Sequence, residues 1–198
     1  RIPRGTITWV QDPLDQVLSA STLVRSPQPI VACLDKYAYR NGSGKLVLCW
    51  DNARLINHSC EPNVLSPGLD FDLALRTIQA NEQILTDYGS LNPEGPMPCA
   101  CGAAACRGVI LPDDFARLAA EWDRRIASVF ARIPSVAQPL WSLLTDPVAV
   151  ERAVSGETPP PSIEAHRWPK PNARHSHGRR SRQARSTSND RTEIRARR

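Results

Sequence analysis

Four of the six cysteines fall into two motifs, and their spacing constrains the fold of this chain more than any other feature. One lies in the polar turn NHSCEPN (57–63), and three follow in the tight cluster CACGAAAC (99–106). Zinc takes four thiolates at about 2.3 Å, and a C-x-C-x4-C spacing can place three of them on one side of an ion. The sequence therefore predicts one structural zinc site that ties the later segment to the turn. Its expected ligands are Cys60, Cys99, Cys101 and Cys106.

Disulfide bonds are the alternative interpretation of the same cysteines. Four cysteines allow three pairings, but Cys99 and Cys101 are too close in sequence to pair comfortably with each other. The chain shows neither a secretory leader nor a long apolar run, which favours a soluble protein of a reducing compartment. Cys33 and Cys49 lie in the apolar contexts IVACL and LVLCW, and we expect both to be inert core thiols.

A second candidate feature lies between the two cysteine motifs. The segment NEQILTDYGSLN (81–92) contains a short apolar run that ends at Asp87-Tyr88-Gly89. A tyrosine after such a run, beside an Asn-His turn and a metal site, is typical of a functional centre. Taken alone, Tyr88 is equally well interpreted as a buried core tyrosine, and Asn57-His58 as an Asx-type turn.

Three segments together carry a resemblance to a known family. ARLINHSCEPN (53–63), EQILTDYG (82–89) and CACGAAACRG (99–108) occur in an order similar to the SET domain of protein-lysine methyltransferases, followed by its cysteine-rich post-SET segment. The resemblance covers roughly residues 1–110, and the flanking sequence is most similar to small bacterial SET-domain proteins. It implies a mostly β (α+β) fold of several small sheets with a knot-like crossing, in which the NHSC segment passes through a loop near the DY segment.

The resemblance also implies roles for individual residues. Asn57 and His58 match a pair that contacts the cofactor S-adenosyl-L-methionine, and Arg54 matches an arginine that shapes the cofactor side. Tyr88 matches the tyrosine whose hydroxyl lies at the methyl-transfer centre, so we expect it to be catalytic and to contact the cofactor. The substrate lysine is expected to enter from the opposite face, where either Tyr37 or Tyr39 lines its channel.

Other positions qualify these expectations. Thr86 stands where the family commonly has a Phe or Tyr that limits the number of methyl groups, so this number stays open. Asp87 and Glu82 are expected to form hydrogen bonds in turns and to take no part in acid-base chemistry. The chain begins at Arg1 without the family's upstream G-x-G segment, so we expect either a truncated N-terminus with a missing strand or an incomplete cofactor site.

The charge is unevenly distributed and suggests a boundary near residue 155. Residues 155–198 hold 11 Lys and Arg against 4 Asp and Glu, a net charge of +7, whereas residues 1–154 carry a net charge of −2. The basic segment has too few apolar residues to offset the entropy of ordering it. We expect residues 156–198 to be disordered. They serve either as an electrostatic arm for nucleic acid or as a solvated extension, and their histidines, including His166, are expected to be exposed.

The remaining pattern divides the chain into four parts. We expect a SET domain over 1–95, a post-SET zinc segment over 96–110, a helical appendage over 111–155 and the tail. Short apolar runs separated by turns, including TITWV, KLVLCW, FDLALRTI and QILTDY, predict strands. Asn41-Gly42 predicts a hairpin turn. Apolar residues recurring at three and four positions after Pro112 predict an amphipathic helix, and a second helix is expected from Asp146-Pro147.

These observations favour an S-adenosylmethionine-dependent protein-lysine N-methyltransferase with a structural zinc ion. Its expected partner is a lysine-bearing protein or peptide, such as a histone or another basic DNA-associated protein, and no membrane. The alternative is a SET-like module that has lost cofactor binding and holds lysine-containing peptides. A zinc-stabilised nucleic-acid binder is disfavoured, because the body is slightly acidic and lacks a basic stripe. We expect a cytoplasmic location, or a nuclear one in a eukaryote.

Overall fold

Short strands make up several small sheets. The computed structural model describes residues 1–168, and the rest of the predicted tail lies outside this range. The strands are β1 (Ile7–Val10), β2 (Gln16–Leu18), β3 (Tyr39–Arg40), β4 (Leu46–Leu48), β5 (Asn57–His58), β6 (Val64–Leu65), β7 (Phe71–Ala74), β8 (Leu85–Thr86), β9 (Met97–Pro98) and β10 (Val109–Ile110). They form two three-stranded sheets, in the orders β1-β7-β6 and β2-β4-β3, and two two-stranded sheets, β5-β8 and β9-β10.

Helices connect and cover these sheets. The α-helices are α1 (Ala20–Arg25), α2 (Gln28–Tyr37), α3 (Asp114–Phe130) and α4 (Pro147–Val154). Single 3₁₀ turns occur at Asn52–Leu55, Tyr88–Leu91, Ile133–Ser135, Trp141–Leu143 and Ile163–His166. The architecture of small sheets with helices agrees with the predicted fold class, whereas the threading of one segment through a loop stays a prediction. In the described range no helix is both long and apolar enough to cross a membrane.

Local sequence signals account for several of these elements. The predicted strands are present as β1, β4, β7 and β8, although each is shorter than its apolar run. The Asn41-Gly42 turn joins β3 to β4 as an antiparallel hairpin, and the Asn41 Oδ1 accepts hydrogen bonds from the backbone of Ser43 and Lys45, both at 3.1 Å. Asp146 caps α4 by accepting from the Ala149 N–H at 2.9 Å. Both predicted C-terminal helices are thus confirmed.

Helix α3 and the β1-β7-β6 sheet enclose the main core. Phe115 and Trp122 lie two turns apart on one face of α3 and meet edge to face, with ring centroids 5.7 Å apart. Phe71 and Leu73 of β7 pack into the same cluster. Burying a large apolar side chain contributes about 1.5–3 kcal/mol, so the contacts between α3 and the sheet hold the sheet in place. This sheet carries one wall of the site described below.

Two short helices, α1 and α2, were not expected from the sequence. Pro29 lies in the first turn of α2, where its missing N–H does not interrupt the helix. Only Leu34 of α2 is buried, and the adjacent Cys33 is exposed. The expectation of a core thiol at Cys33 is therefore wrong, because neighbouring helix positions are rotated by about 100° and only one narrow face of α2 packs. Cys49 is buried as expected.

Candidate functional site

The two polar turns of the sequence meet along a parallel strand pair. β5 pairs with β8, so that Asn57 lies opposite Leu85 and His58 opposite Thr86. The Ser59 N–H continues the ladder by donating to the Thr86 carbonyl at 2.9 Å. The NHSC and DYG motifs, which are far apart in sequence, are therefore neighbours, as the family resemblance implied.

Asn63 holds the two segments together from the other end of the turn. Its side chain is fully buried, donates to the Gln83 carbonyl and accepts from the Leu85 N–H, each at 2.8 Å. Its backbone N–H donates to the Leu85 carbonyl at 2.9 Å. A buried amide whose donors and acceptors are satisfied fixes the register of the chains it joins. Asn63 is thus a positioning residue that the motif analysis did not single out.

Four thiols gather beside these turns. The Cys60 Sγ lies 3.8 Å from the Cys99 Sγ, which lies 3.7 Å from the Cys106 Sγ, and the Cys60 N–H donates to the Cys101 Sγ at 3.4 Å. Thiolates at about 2.3 Å from a tetrahedral ion are about 3.8 Å apart, whereas a disulfide requires about 2.05 Å. All four thiols are free. The Cys60–Cys99 and Cys99–Cys106 sulfur distances fit ligands around one ion and do not fit disulfide bonds.

The thiols differ in how readily they ionise. Burial raises the pKa of Cys60 to about 12. The backbone N–H of Cys60 lowers the pKa of Cys101 to about 6, so Cys101 is a thiolate at neutral pH. Metal ligands must be deprotonated, and a dication between the thiols would offset the cost of a charged Cys60 in its buried position. The cluster is therefore a candidate metal centre.

His58 lies next to the thiols and links them to Tyr88. His58, Cys60, Cys99 and Cys101 could share a metal ion, since one ligand atom from each lies within 4.8 Å of the others. However, the His58 Nδ1 accepts the Tyr88 N–H at 3.1 Å, so the neutral ring carries its proton on Nε2. That Nε2 lies 3.3 Å from the Cys60 Sγ. Burial lowers the pKa of His58 and keeps the ring neutral. This geometry makes His58 a hydrogen-bond donor to the Cys60 sulfur. Cys106 does not belong to the group of four that could share an ion, so its role as a ligand stays a prediction.

Arg107 connects the cysteine cluster to the rest of the site. Its guanidinium forms two hydrogen bonds with the Asp87 carboxylate, at 2.6 and 2.8 Å, and its Nε lies 3.3 Å from the Asp114 Oδ2. Its backbone N–H donates to the Cys60 Sγ at 3.4 Å. Both carboxylates are almost fully buried. Arg107 therefore neutralises two buried charges while joining the metal centre to helix α3, a role that sequence reasoning missed.

The two acidic residues near the last strand behave as expected. Asp87 accepts from the Gly89 N–H at 3.0 Å and from Arg107. Glu82 accepts from the Gln79 N–H at 2.8 Å and pairs with Arg76 at 2.5 Å. These hydrogen bonds to Glu82 lower its pKa to about 2. Both carboxylates thus stabilise turns, in agreement with the prediction.

A cavity of 530 Å³ opens beside Tyr88. The volume falls within the range of about 300–1,000 Å³ that is usual for ligand sites. The Tyr88 hydroxyl donates to the Ile56 carbonyl at 2.7 Å, and its ring lies 5.4 Å from that of His58. Burial raises the pKa of Tyr88, which keeps the phenol neutral at physiological pH. With its proton held by Ile56, the oxygen keeps its acceptor lone pairs for a group bound in the cavity.

The structure brings some of the predicted site residues to the cavity wall and leaves others away from it. Arg54, Thr86 and Tyr88 line the wall, as do Tyr37 and Tyr39, between which the sequence could not choose.

Asn57 and His58 are not among the described residues that line the cavity. Asn57 is exposed and donates to the Gln83 Oε1 at 3.2 Å. Arg54 donates to the Trp50 carbonyl. The predicted cofactor pair therefore lies beside the cavity and does not form its lining.

The segment 161–168, here called the strap, corrects the predicted boundary of the tail. Ile163 is 1% exposed and belongs to the main core. The His166 Nε2 donates to the Pro67 carbonyl at 2.7 Å, and the Trp168 N–H donates to the Asn92 Oδ1 at 2.9 Å. Disorder from residue 156 onward and an exposed His166 are thus both wrong, because the few apolar and amide groups of the strap find buried partners. The predicted disorder of 169–198 concerns residues outside the described range.

Glycines make the close approach of the strap possible. A Cβ on Gly44 would lie 2.5 Å from the Trp168 indole, and one on Gly68 would lie 2.2 Å from the Ser162 carbonyl. Real Cβ atoms essentially never come closer than 3.0 Å to such groups. Gly44 also has a φ of +77°, which disfavours other residues. Two loops of the body are therefore shaped to receive the strap, and Ile163 and His166 line the cavity.

Comparisons with known proteins found similarity over part of the chain. Residues 29–89 match the model of the SET domain. The matched range contains strands β3 to β8 and both polar turns, but ends before the cysteine cluster at 99–106. It therefore covers Tyr88 and Cys60 but leaves the other three candidate ligands outside.

Curated relatives match less than a third of the chain. Histone-lysine N-methyltransferase TRX1 of rice (Oryza sativa subsp. japonica) is 38% identical over 65 residues, which is 29% of this chain and 6% of that protein. Histone-lysine N-methyltransferase trithorax of Drosophila virilis is 40% identical over 62 residues, 28% and 2% of the two chains. An H3 lysine-4 specific histone-lysine N-methyltransferase of Chaetomium globosum is 38% identical over 68 residues, 29% and 6%. The chain thus spans only a few per cent of the length of these relatives, and the similarity to small bacterial proteins stays a prediction.

Proposed function

We propose that this chain is a SET-type protein-lysine N-methyltransferase that uses S-adenosyl-L-methionine. One observation carries the proposal: the Tyr88 hydroxyl lies on the wall of a 530 Å³ cavity, held by the Ile56 carbonyl, at the meeting point of two motifs within the segment that matches the SET domain. The relatives that are similar to part of this chain are named histone-lysine N-methyltransferases. A basic protein tail such as a histone tail is therefore the proposed class of substrate.

The cavity suits an amine acceptor. A lysine ammonium has a pKa near 10.4 in water and must lose its proton before it can accept a methyl group. Removing the amine from water disfavours its charged form, and the cavity wall supplies the Tyr88 ring for this purpose. Tyr88 would orient the neutral amine through its acceptor lone pairs. Most of the acceleration would come from this positioning, which can contribute several kcal/mol.

The methyl donor would be held next to Tyr88. S-adenosyl-L-methionine supplies an activated methyl group when bound. Arg54 lines the cavity, and Asn57 and His58 lie on the adjacent strand β5, so these residues and Tyr88 are the proposed contacts. The volume is sufficient for a ligand of that size.

The cysteine cluster would hold a structural zinc ion. Its sulfur spacing of 3.7–3.8 Å and its four thiols fit a closed tetrahedral site. The ligands Cys60, Cys99, Cys101 and Cys106 would then fix the segment 96–110, the proposed post-SET segment, against the two motifs. In this proposal the ion is structural, since four protein ligands leave no open position for a substrate.

The decisive experiment measures methyl transfer and cofactor binding separately. Wild type and Tyr88→Phe are incubated with S-adenosyl-L-methionine and lysine peptides, and the added methyl groups are counted by mass spectrometry. Because the variant keeps the ring and loses the oxygen, the rate should fall by about 100-fold or more, while cofactor affinity measured by calorimetry changes little. Undiminished transfer would remove Tyr88 from the mechanism.

A wild type that binds the cofactor but transfers no methyl group would contradict the proposed activity. In that case retained peptide binding would favour a SET-like peptide-binding module. Tyr37→Phe serves as a matched control, because it removes a hydroxyl from the same cavity wall without touching the His58–Tyr88 contact.

A further inference from the structure

One carboxylate on the cavity wall has no part in the proposed transfer. Asp72 lies on β7 between Phe71 and Leu73, which are 1% and 0% exposed and face the core. Since side chains alternate along a strand, Asp72 points to the opposite face, where it lines the cavity. Ser66 lies beside it and donates to the Asp72 Oδ1 at 2.7 Å. The carboxylate is thus held in a fixed orientation.

The negative charge of Asp72 has no cationic partner within the described part of the chain. No Lys or Arg of residues 1–168 forms an ion pair with it. The nearby His166 donates its Nε2–H to the Pro67 carbonyl. Burial raises the pKa of Asp72, so the fold disfavours the charged form. A partly buried carboxylate without a cationic partner costs stability, and such groups are frequent where a ligand supplies the missing partner.

Cationic side chains on the cavity wall are engaged elsewhere. Arg40 pairs with Glu94 and lies over the Trp168 ring at 4.4 Å. Lys36 lies over the Tyr37 ring at 4.9 Å. These contacts leave the carboxylate available to a bound group.

Aromatic rings complete the surroundings of Asp72. Trp9 lies opposite Asp72 in the β1-β7 pairing and meets Tyr39 edge to face, with centroids 6.4 Å apart. Both rings line the cavity. A carboxylate beside aromatic rings attracts ammonium and guanidinium groups, through charge-assisted hydrogen bonds and cation–π contacts. This wall therefore has the chemistry of a site for an organic cation.

We infer that Asp72, oriented by Ser66 and flanked by Trp9 and Tyr39, recognises a second basic side chain of the substrate peptide, next to the lysine that is methylated. The inference rests on the proposed function and specifies its substrate class. The bound cation is not the target amine itself, because an adjacent carboxylate would raise the pKa of that amine and oppose the loss of its proton. The preferred substrates are thus peptides in which arginine or lysine adjoins the target lysine.

The test compares two peptides and three proteins. One peptide carries arginine beside the target lysine, and the other carries citrulline, which is similar in shape but uncharged. Wild type should bind the arginine peptide about 10- to 100-fold more tightly, as measured by calorimetry. Asp72→Asn keeps the hydrogen bond from Ser66 and should lose this preference, with unchanged affinity for S-adenosyl-L-methionine. Glu121→Gln removes one charge from an exposed pair on α3 and should retain the preference.

Several outcomes would overturn the inference. A preference that survives in Asp72→Asn, or a loss of cofactor affinity in place of peptide affinity, would contradict it. Thermal melting shows whether each variant folds. If Asp72→Asn does not fold, Ser66→Ala should still weaken the preference, and an unchanged preference there would also contradict the inference. If wild type transfers methyl groups but shows no preference for the arginine peptide, the inference about Asp72 is wrong and the proposed function stands. If wild type prefers the arginine peptide in binding but transfers no methyl group, the proposed function is wrong.

Discussion

The cysteine cluster and the cavity share the His58–Tyr88 contact, yet they are built in opposite ways. The cluster takes its chemistry from two local motifs, and nearly every polar group in it has a partner within the cluster. The cavity is assembled from β1, β3, β7, β8 and the strap, which are distant in sequence. It also contains Asp72, which forms no ion pair within residues 1–168. A closed, satisfied region suits a structural role, and an open region with unpaired groups suits a ligand.

Removing one ligand thiol should produce the largest effect. A structural zinc site contributes on the order of 10–16 kcal/mol of apparent binding free energy, so Cys60→Ser should release the ion and unfold the segment 96–110. Cys106→Ser should behave in the same way. Elemental analysis and thermal melting measure both effects.

The exposed Cys33 provides the matched control for the thiol variants. Cys33→Ser changes the same atom on the surface of α2 and should leave zinc content and melting temperature unchanged. Pure wild-type protein without zinc would contradict the shared site. So would a Cys60→Ser variant that retains its ion, because three thiols alone would then suffice.

The contrast between the two regions also explains what the sequence could predict. The cluster of Cys99, Cys101 and Cys106 was predicted as a candidate metal site from residue type and spacing, and helix α3 from its apolar period, because both signals are local. Arg107 was missed because its partners Asp87 and Asp114 lie in two other elements. Asp72 was missed because it lies inside an apolar run, where the alternation of a strand cannot reveal a cavity on one face.

The strap is a second feature that the sequence alone could not predict. Its composition is close to that of a disordered segment, with the apolar residues Ile163, Ala165 and Trp168 among proline, polar and charged residues. It is ordered because Gly44 and Gly68 leave room for it and because Asn92 accepts from the Trp168 N–H. These partners belong to loops far away in sequence, so composition alone could not have indicated them.

The second largest effect is expected for the ion-pair network that joins the regions. Arg107→Met would leave the carboxylates of Asp87 and Asp114 buried without their shared cation, and breaking such a pair costs about 3–5 kcal/mol. Arg124→Gln breaks the exposed pair with Glu121 and a long exposed hydrogen bond to the Ala120 carbonyl, and should cost less than about 1 kcal/mol. Denaturant unfolding measures both free energies. Equal effects of the two variants would show that Arg107 does not compensate the buried charges.

The smallest effect should come from loosening the strap, and it should separate stability from ligand binding. Ile163→Ala removes one buried side chain, a change that costs about 2–5 kcal/mol in a rigid core. We expect the low end, about 2 kcal/mol, because a short segment can move to fill part of the space. Val24→Ala, at a side chain that is 88% exposed, should cost almost nothing and is the matched control.

Since Ile163 and His166 also line the cavity, Ile163→Ala should weaken peptide binding while the zinc content of the protein stays unchanged. Peptide titration and elemental analysis of the same preparation measure both. A parallel loss of zinc would show that the cavity and the cysteine cluster are one cooperative unit, and the contrast drawn between them would be wrong.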